Sequence, residues 1–160
     1  MTIPKIYLET TMFSFYFAPD KPGYRVLKGQ VHQVFERIKA GEYEPFTSLY
    51  TTSEIEDETN QENRERMEAL ISEYKIKLLP VTPDVTRLAA LYIEAGAIPA
   101  GYPTDAAHIA VTTVNGLDFI VSLNFEHIAR PWTVERVRRV NIQENYKGIG
   151  IYRPVEVLDL

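Results

Sequence analysis

The sequence contains no cysteine among its 160 residues. Disulfide bonds, thiol catalysis and cysteine-ligated zinc or iron–sulfur centres are therefore excluded. Only three histidines are present, and none of them belongs to a His-Glu-x-x-His motif of the zinc-protease type. The longest uninterrupted apolar run, residues 88–93, has six residues, whereas a membrane-spanning helix needs about 18. The chain therefore has no sulfur-based centre, and we expect no membrane span.

Signals for mononucleotide binding and for export are missing as well. Neither a Gly-x-Gly-x-x-Gly nor a Gly-x-x-x-x-Gly-Lys loop follows any predicted strand, which disfavours a nucleotide-binding or phosphoacceptor domain. The first residues show no basic region followed by an apolar core and a small-residue cleavage site, so we predict no secretory signal. The expected location is the cytoplasm.

What the chain does contain is typical of one folded domain. Hydrophobic residues make up 45% of it and charged residues 24%, which excludes a largely disordered chain. A length of 160 residues suits a single hydrophobic core, because one core usually serves roughly 100–200 residues. We therefore predict a single domain over residues 1–160.

The net charge of -5 is unevenly distributed along the chain. Residues 54–68 contain seven acids and two arginines, and their net charge of -5 leaves the rest of the chain neutral. Residues 130–139 contain four arginines and one glutamate, a net charge of +3. Such a basic cluster can bind phosphates, although a solvated helix face is the plainer explanation.

Short apolar segments alternate with longer amphipathic segments. The apolar segments predict five strands, at 6–8, 45–49, 76–79, 118–123 and 149–152. Apolar residues at helical spacing predict helices at 25–40, 52–74, 104–114 and 133–145, with a further helix beginning near Pro83. Two glycines and two prolines within residues 96–103 predict a loop.

This alternation of strands and helices predicts an α/β fold. Strands that are apolar throughout are typical of a parallel sheet covered on both faces. We therefore expect a doubly wound, mainly parallel sheet between two layers of helices. Ligands of such folds bind outside the carboxyl ends of the strands. The residues that follow each strand are consequently the place to search for function.

Four oxygen-bearing side chains follow the predicted strands or begin the helices beside them. Glu9 directly follows the first strand, and Glu54 lies shortly after the second. Asp105 opens the helix at 104–114, and Asn124 directly follows the fourth strand. Carboxylates that converge repel one another and need a cation to stay ionised together. Hard divalent ions such as Mg²⁺ and Mn²⁺ prefer oxygen ligands, so the four residues are candidate metal ligands and catalytic residues.

Each of these residues also has a purely structural explanation. Asp105 suits the first turn of a helix, where a carboxylate caps backbone amides or interacts with the helix dipole. Glu54 belongs to the acidic segment, and Asn124 is a common turn residue. Glu9 is the most informative, because a charged residue beside a buried strand seldom lacks a partner. Only the joint arrangement of the four favours a site.

The order and spacing of these segments resemble the PIN domain family of metal-dependent nucleases. The matching segments are 6–11, 47–49 with 54–55, 104–110 and 117–125. The resemblance implies that Mg²⁺ or Mn²⁺ is held by Glu9, Glu54, Asp105 and Asn124, and that the ion assists phosphodiester hydrolysis. It further implies single-stranded RNA as the substrate and a homodimer. Because the family includes toxins of toxin–antitoxin pairs, an antitoxin protein is a candidate partner.

Two positions depart from the Asp, Glu, Asp and Asp that are usual in this family. Glu9 is one methylene longer than Asp, and Asn124 keeps an oxygen ligand but carries no charge. The Asn-Phe-x-His form of 124–127 resembles a recurring variant of the family. A catalytically decayed module that binds nucleic acid or protein is the alternative to an enzyme.

Six further residues are weaker candidates for substrate binding, and His127 is one of them. Thr10 and Thr11 can hold a metal-bound water or a phosphate oxygen, or they can form turn hydrogen bonds. The basic cluster supplies three candidate RNA contacts, which are Arg136, Arg138 and Arg139.

Three other polar residues are more ambiguous or structural. His127 can contact substrate or orient Asn124, with capping or packing as the alternative. His108 lies in an apolar helix, so we expect a hydrogen-bonded core residue. Asp118 begins a strand at the end opposite the candidate site, which indicates a structural role.

Overall fold

The computed structural model describes residues 2–160, and within them the chain forms five strands and eight helices. The strands are β1 (Lys5–Leu8), β2 (Glu44–Ser48), β3 (Lys77–Leu79), β4 (Phe119–Val121) and β5 (Gly150–Tyr152). The helices are α1 (Thr10–Tyr16), α2 (Pro22–Lys39), α3 (Leu49–Glu56), α4 (Gln61–Glu73), α5 (Pro83–Glu94), α6 (Pro103–Val114), α7 (Pro131–Gln143) and α8 (Pro154–Leu158). Each of the five predicted strands is present.

The strands form one sheet in the order β3-β2-β1-β4-β5, and all four pairings are parallel. In the central strand, Tyr7 lies between Phe46 of β2 and Ile120 of β4. Because strand side chains alternate between faces, Tyr7 and Ile120 pack with α5, α6 and α7 on one side. Ile6 and Leu8 pack with α1, α2 and α4 on the other side. The predicted doubly wound α/β fold is confirmed.

The acidic segment forms two helices, so the prediction of one helix over 52–74 is wrong. The first of them, α3, begins directly after β2, where Ser48 Oγ accepts a hydrogen bond from the Tyr50 backbone N–H at 3.2 Å. The second, α4, begins after Asn60, whose side chain accepts from the Asn63 N–H at 3.0 Å. Charged residues on both sides of the break obscure it in the sequence, and the capping asparagine is its local signal.

Two short helices are not predicted by the sequence pattern. α1 has seven residues and α8 has five, too few for a helical period to be recognised. α1 follows β1 with one residue between them, so that Glu9 stands at the junction. Over residues 2–160, no helix combines the length and the apolarity needed to cross a membrane.

Asp118 lies at the amino edge of the sheet, away from the strand ends that carry the candidate site. Its Oδ2 accepts a hydrogen bond from the Lys5 backbone N–H at 2.7 Å, and its Oδ1 accepts one from Lys147 Nζ at 3.0 Å. The backbone hydrogen bond and Lys147 hold the pKa of the Asp118 carboxyl below its usual value. These contacts agree with the structural role expected for this residue.

A buried polar network joins three helices of one layer. The Tyr92 hydroxyl of α5 donates to Asn141 Oδ1 of α7 at 2.6 Å and lies 3.0 Å from Thr113 Oγ1 of α6. All three side chains are buried, so their polar atoms must find partners within the protein. The network therefore connects α5 and α7 to α6, the helix that carries the candidate residue Asp105.

Replacing the central hydroxyl of this network tests its contribution to stability. Tyr92→Phe is expected to lower the free energy of unfolding by about 1–3 kcal/mol, because buried polar atoms lose their partner. Tyr24→Phe is the matched control, since Tyr24 is exposed, and it should change stability by less than about 0.5 kcal/mol. Urea unfolding followed by circular dichroism measures both. Equal losses in the two variants would contradict a stabilising role of the network.

Candidate metal centre

The candidate site lies where the strand order reverses. The chain leaves β1 towards the layer that contains α1 and α2, and it leaves β4 towards the layer that contains α7. Such a divergence opens a crevice between the two strand ends, which is the usual ligand site of open α/β sheets. Glu9 stands there, and its backbone N–H donates to the carbonyl of Val121 at 3.3 Å.

The Glu9 carboxylate is buried, with 3% of the residue exposed. Its Oε1 accepts hydrogen bonds from Ser122 Oγ at 2.6 Å and from Thr11 Oγ1. Burial raises the pKa of the Glu9 carboxyl, and the charge of His108 and the two hydroxyls offset part of that rise. A carboxylate in these surroundings needs a cation close by to stay ionised.

Glu54 of α3 brings a second carboxylate to the same edge. Its Oε1 accepts hydrogen bonds from Thr10 Oγ1 and from His108 Nε2, both at 2.6 Å. The side chain is 39% exposed, so solvent reaches it. Partial burial by itself raises the pKa of the Glu54 carboxyl, but the hydrogen bond and charge of His108 outweigh it and lower that pKa below its usual value.

His108 of α6 supplies the positive charge between these carboxylates. Its ring is fully buried, and its Nδ1 lies 2.7 Å from the Tyr7 hydroxyl, which lies 2.7 Å from Ser48 Oγ. Burial lowers the pKa of His108, but the Tyr7 hydroxyl, Glu54 and Glu9 outweigh that effect and raise the pKa to about 10. The residue is buried and hydrogen-bonded, as expected, yet its partners belong to the candidate site.

The three side chains form a compact group of possible ligands. One ligand atom from each of Glu9, Glu54 and His108 lies within 4.8 Å of the other two. This group could hold a metal ion, because carboxylate oxygens and an imidazole nitrogen are ordinary ligands of divalent cations. The burial of Glu9 supports the fit, since a bound cation would offset the cost of desolvating its charge.

Asp105 and Asn124 both hydrogen-bond to His127, and Asn124 is also connected to Glu9 through Ser122. Asp105 Oδ2 pairs with His127 Nδ1 at 3.0 Å, and Asn124 Oδ1 accepts from the His127 backbone N–H at 3.0 Å. The Asn124 N–H donates to Ser122 Oγ at 2.9 Å, and the same hydroxyl donates to Glu9. Of the three predicted carboxylates, Glu9 and Glu54 belong to the converging group, which His108 completes, and Asp105 does not.

The purely structural explanations given above for Asp105, Asn124 and Glu54 can be compared with the contacts that each residue makes. Asp105 lies in the first turn of α6, as the helix-dipole explanation expects, but it is not the N-cap residue, and its carboxylate pairs with the His127 side chain. Asn124 does take the turn role, because its side-chain oxygen accepts from the third residue along. Glu54 is more than a member of a solvated acidic segment, since it is held by two hydrogen bonds.

Hydroxyl groups hold both carboxylates in place. Thr10 and Thr11 donate to Glu54 and Glu9 respectively, and Thr11 Oγ1 also accepts from the Leu123 N–H at 2.8 Å. In this structure they orient carboxylates rather than only closing a turn. Ser122 does the same and is not identified from the sequence, where a serine at the end of a buried strand is its only signal.

Three arginines of the basic cluster have partners within the chain. Arg136 Nη1 donates to the Ala95 carbonyl at 3.0 Å, and its guanidinium lies 3.8 Å from the centre of the Trp132 ring. Arg138 and Arg139 both pair with Glu135, each at 3.0 Å, and remain largely exposed. Their proposed contact with RNA stays a prediction.

Phe125, the residue after Asn124, lines a groove of about 830 Å³. Two aromatic side chains, Phe125 and Tyr152, and two arginines, Arg130 and Arg153, are among the residues that line it. Arg130 Nε donates to Thr133 Oγ1 at 2.8 Å, and Arg153 pairs with Glu156 at 3.1 Å. Aromatic rings beside cationic groups are the features that bind unpaired bases and their phosphates.

The fold is similar to that of a chain in the crystal structure of VapBC2 from Rickettsia felis bound to a DNA fragment from their promoter. The TM-score is 0.55 and the sequence identity is 8%, over 93% of this chain and 98% of that chain. No family model matches the chain, and no curated protein matches it. A likeness at this identity concerns the fold alone.

The His108 ion pair predicts how stability depends on pH in metal-free protein. The pKa of His108 rises from its ordinary 6.5 to about 10 on folding, so the protonated ring stabilises the fold fully below pH 6.5. That contribution is lost as the pH rises towards 10, at roughly 1.4 kcal/mol for each pKa unit. Urea unfolding between pH 6 and 9.5 should show this decline in the wild type and a much weaker one in His108→Gln.

His32→Gln provides the control for that experiment, because His32 hydrogen-bonds to the Tyr16 carbonyl and lies outside the cluster. Its unfolding free energy should follow the wild-type pH profile. Parallel profiles in the wild type and His108→Gln would mean that folding does not raise the pKa of His108.

Proposed function

We propose that this protein is a metal-dependent nuclease that hydrolyses phosphodiester bonds in single-stranded RNA. The observation that carries the proposal is a buried carboxylate, Glu9, within 4.8 Å of ligand atoms of Glu54 and His108 at the carboxyl edge of the sheet. Neighbouring carboxylates are what a divalent ion requires in a site for phosphodiester cleavage. The resemblance of the surrounding segments to PIN domains and the similar fold of VapBC2 support the same conclusion.

Glu9 and Glu54 would hold the Mg²⁺ or Mn²⁺ ion, with Asp105 and Asn124 at the border of its shell. When bound, the ion supplies an activated water and stabilises negative charge on the phosphate. The protein contributes by orienting its carboxylates before the substrate arrives. Ser122 fixes one oxygen of Glu9, so only its other oxygen is free to turn towards a cation.

His127 is the proposed substrate contact at the border of the site. Its ring is held by Asp105 on one side, and the Tyr102 ring packs against it with 3.8 Å between ring centres. Its backbone N–H is fixed by Asn124. A ring held by two neighbours on a fixed backbone is positioned with little freedom, which favours defined contact with a phosphate or a base.

The RNA strand is proposed to extend from the metal centre into the groove beside Phe125. The aromatic rings of Phe125 and Tyr152 would stack on unpaired bases, and Arg130 would face the backbone. Stacking of this kind requires bases that are not paired, which supports a single-stranded substrate, and the choice of RNA follows from the resemblance to PIN domains.

An antitoxin partner and a homodimer are further parts of the proposal. The protein of similar fold was crystallised as VapBC2 bound to a DNA fragment from their promoter. The PIN-like segments of the present chain imply the same kind of pairing with a second protein. Size-exclusion chromatography with light scattering would give the oligomeric state of the isolated chain.

A second candidate function is a binding module without catalysis. The Glu54–His108 pair, at 2.6 Å, supports it, because an internal cation neutralises the carboxylate without any metal. The Asn124 side-chain oxygen is also occupied by a turn hydrogen bond. Such a module would bind RNA in the same groove and leave it intact, which the cleavage assay below distinguishes.

Removal of single charges tests the catalytic proposal. Glu9→Gln and Asp105→Asn should each lower Mn²⁺-dependent cleavage of a fluorescent single-stranded RNA by on the order of a hundredfold or more, since metal-assisted charge stabilisation is worth several kcal/mol. Glu68→Gln, which removes an exposed acid of α4, should cleave as the wild type does. EDTA should stop cleavage in every active variant. RNA binding without cleavage by the wild type would favour the binding module.

The basic cluster is tested through the salt dependence of RNA binding. Arg138→Ala combined with Arg139→Ala should weaken binding and reduce the slope of log K against log salt by about 1.4, because single-stranded contacts contribute roughly 0.7 each. Arg25→Ala combined with Arg66→Ala is the control, since these exposed arginines lie on α2 and α4. Fluorescence anisotropy with Glu9→Gln as the background avoids cleavage. An unchanged slope would indicate that these arginines form a solvated helix face and do not contact RNA.

A further inference from the structure

We propose that His108 is itself a metal ligand and completes a Glu9–Glu54–His108 site that selects a transition-metal ion such as Mn²⁺ or Zn²⁺ over Mg²⁺. The inference rests on the proposed function in that it concerns the same centre. It departs from the all-oxygen site that the sequence predicts, in which Asp105 and Asn124 complete the shell.

The orientation of the His108 ring is the first argument. Its Nδ1 lies 2.7 Å from the Tyr7 hydroxyl, while its Nε2 faces the carboxylates and lies 2.6 Å from Glu54 Oε1. Metal-binding histidines have this arrangement, with one nitrogen fixed by a hydrogen bond and the other on the ion. The Tyr7 hydroxyl is anchored in turn by Ser48 Oγ at 2.7 Å. The ring is therefore positioned before any ion arrives.

The spacing of the ligand atoms is the second argument. The three atoms lie within 4.8 Å of one another. Donors at about 2.0–2.2 Å from a common ion are at most about 4.4 Å apart. The group is therefore of about the size that a shared ion requires. Glu54 is the ligand best able to adjust its position when an ion enters, because its side chain is partly exposed whereas Glu9 and His108 are buried.

The donor chemistry decides which ion is preferred. Imidazole nitrogen suits transition-metal ions, whereas Mg²⁺ favours oxygen ligands and keeps most of its waters. In the metal-free cluster Nε2 donates its proton to Glu54, and that proton would leave to solvent when an ion takes its place. The rival role for His108 is that of a permanent counter-cation, which any metal would have to displace or avoid.

Metal binding measured without RNA separates these roles. Isothermal titration of metal-free protein should show Mn²⁺ and Zn²⁺ binding at least about tenfold weaker in His108→Gln than in the wild type, with a smaller change for Mg²⁺. His32→Gln should bind all three ions as the wild type does. Mn²⁺ binding by His108→Gln that equals or exceeds that of the wild type would establish the counter-cation role and overturn the proposal.

A spectroscopic measurement on the unaltered protein avoids reliance on the folding of a variant. Electron spin-echo modulation of Mn²⁺-loaded wild type should show coupling to a ligated ¹⁴N, and the same signal should persist in His127→Gln. Its absence in the wild type would overturn the proposal. Cleavage of RNA without this coupling would support the nuclease proposal and reject His108 as a ligand. Coupling without cleavage would support His108 as a ligand and reject the nuclease proposal.

Discussion

Two carboxylates brought close together at the end of a parallel sheet are the constraint on which this site depends. Glu9 is buried, so its charge is costly unless a cation and hydrogen-bond donors lie beside it. The donors come from α1 and from the end of β4, and the cation comes from α6. Glu54 and His108 belong to helices on opposite faces of the sheet, and they meet beyond its edge at 2.6 Å. The packing of both helix layers therefore sets the distance between the charges.

The sequence predicts much of this architecture because the relevant information is local. Apolar segments identify the strands, and the rule for parallel sheets then places Glu9 and Asn124 at one edge. The pairing of His108 with Glu54 is not local, since it depends on how α6 and α3 are rotated relative to each other. Helical spacing shows that His108 points inwards but not what it meets there. The break between α3 and α4 is obscured for a related reason, because solvated charged residues carry little periodic signal.

Because His108 can act as an internal cation beside Glu9 and Glu54, folding need not depend on metal binding. Zinc fingers are unfolded without their ion, because binding of the ion supplies the free energy of folding. Here the hydrogen bond from His108 and those from Thr10, Thr11 and Ser122 hold the two carboxylates within the protein itself. We therefore expect the fold and the arrangement of these side chains not to depend on a bound ion. Metal binding would then change the reactivity at the carboxyl ends of the strands and would not be required for folding.

The direct junction between β2 and α3 has a consequence for how the chain can change over evolution. Ser48 ends the strand and caps the helix, so no linker absorbs an insertion there. One residue added between Ser48 and Glu54 would turn the carboxylate by about 100° around the helix axis. Length variation is thus excluded from this stretch, whereas the connection between α3 and α4 lies beyond Glu54 and is free to lengthen. Related chains should accordingly differ in length after the carboxylate and keep a constant spacing before it.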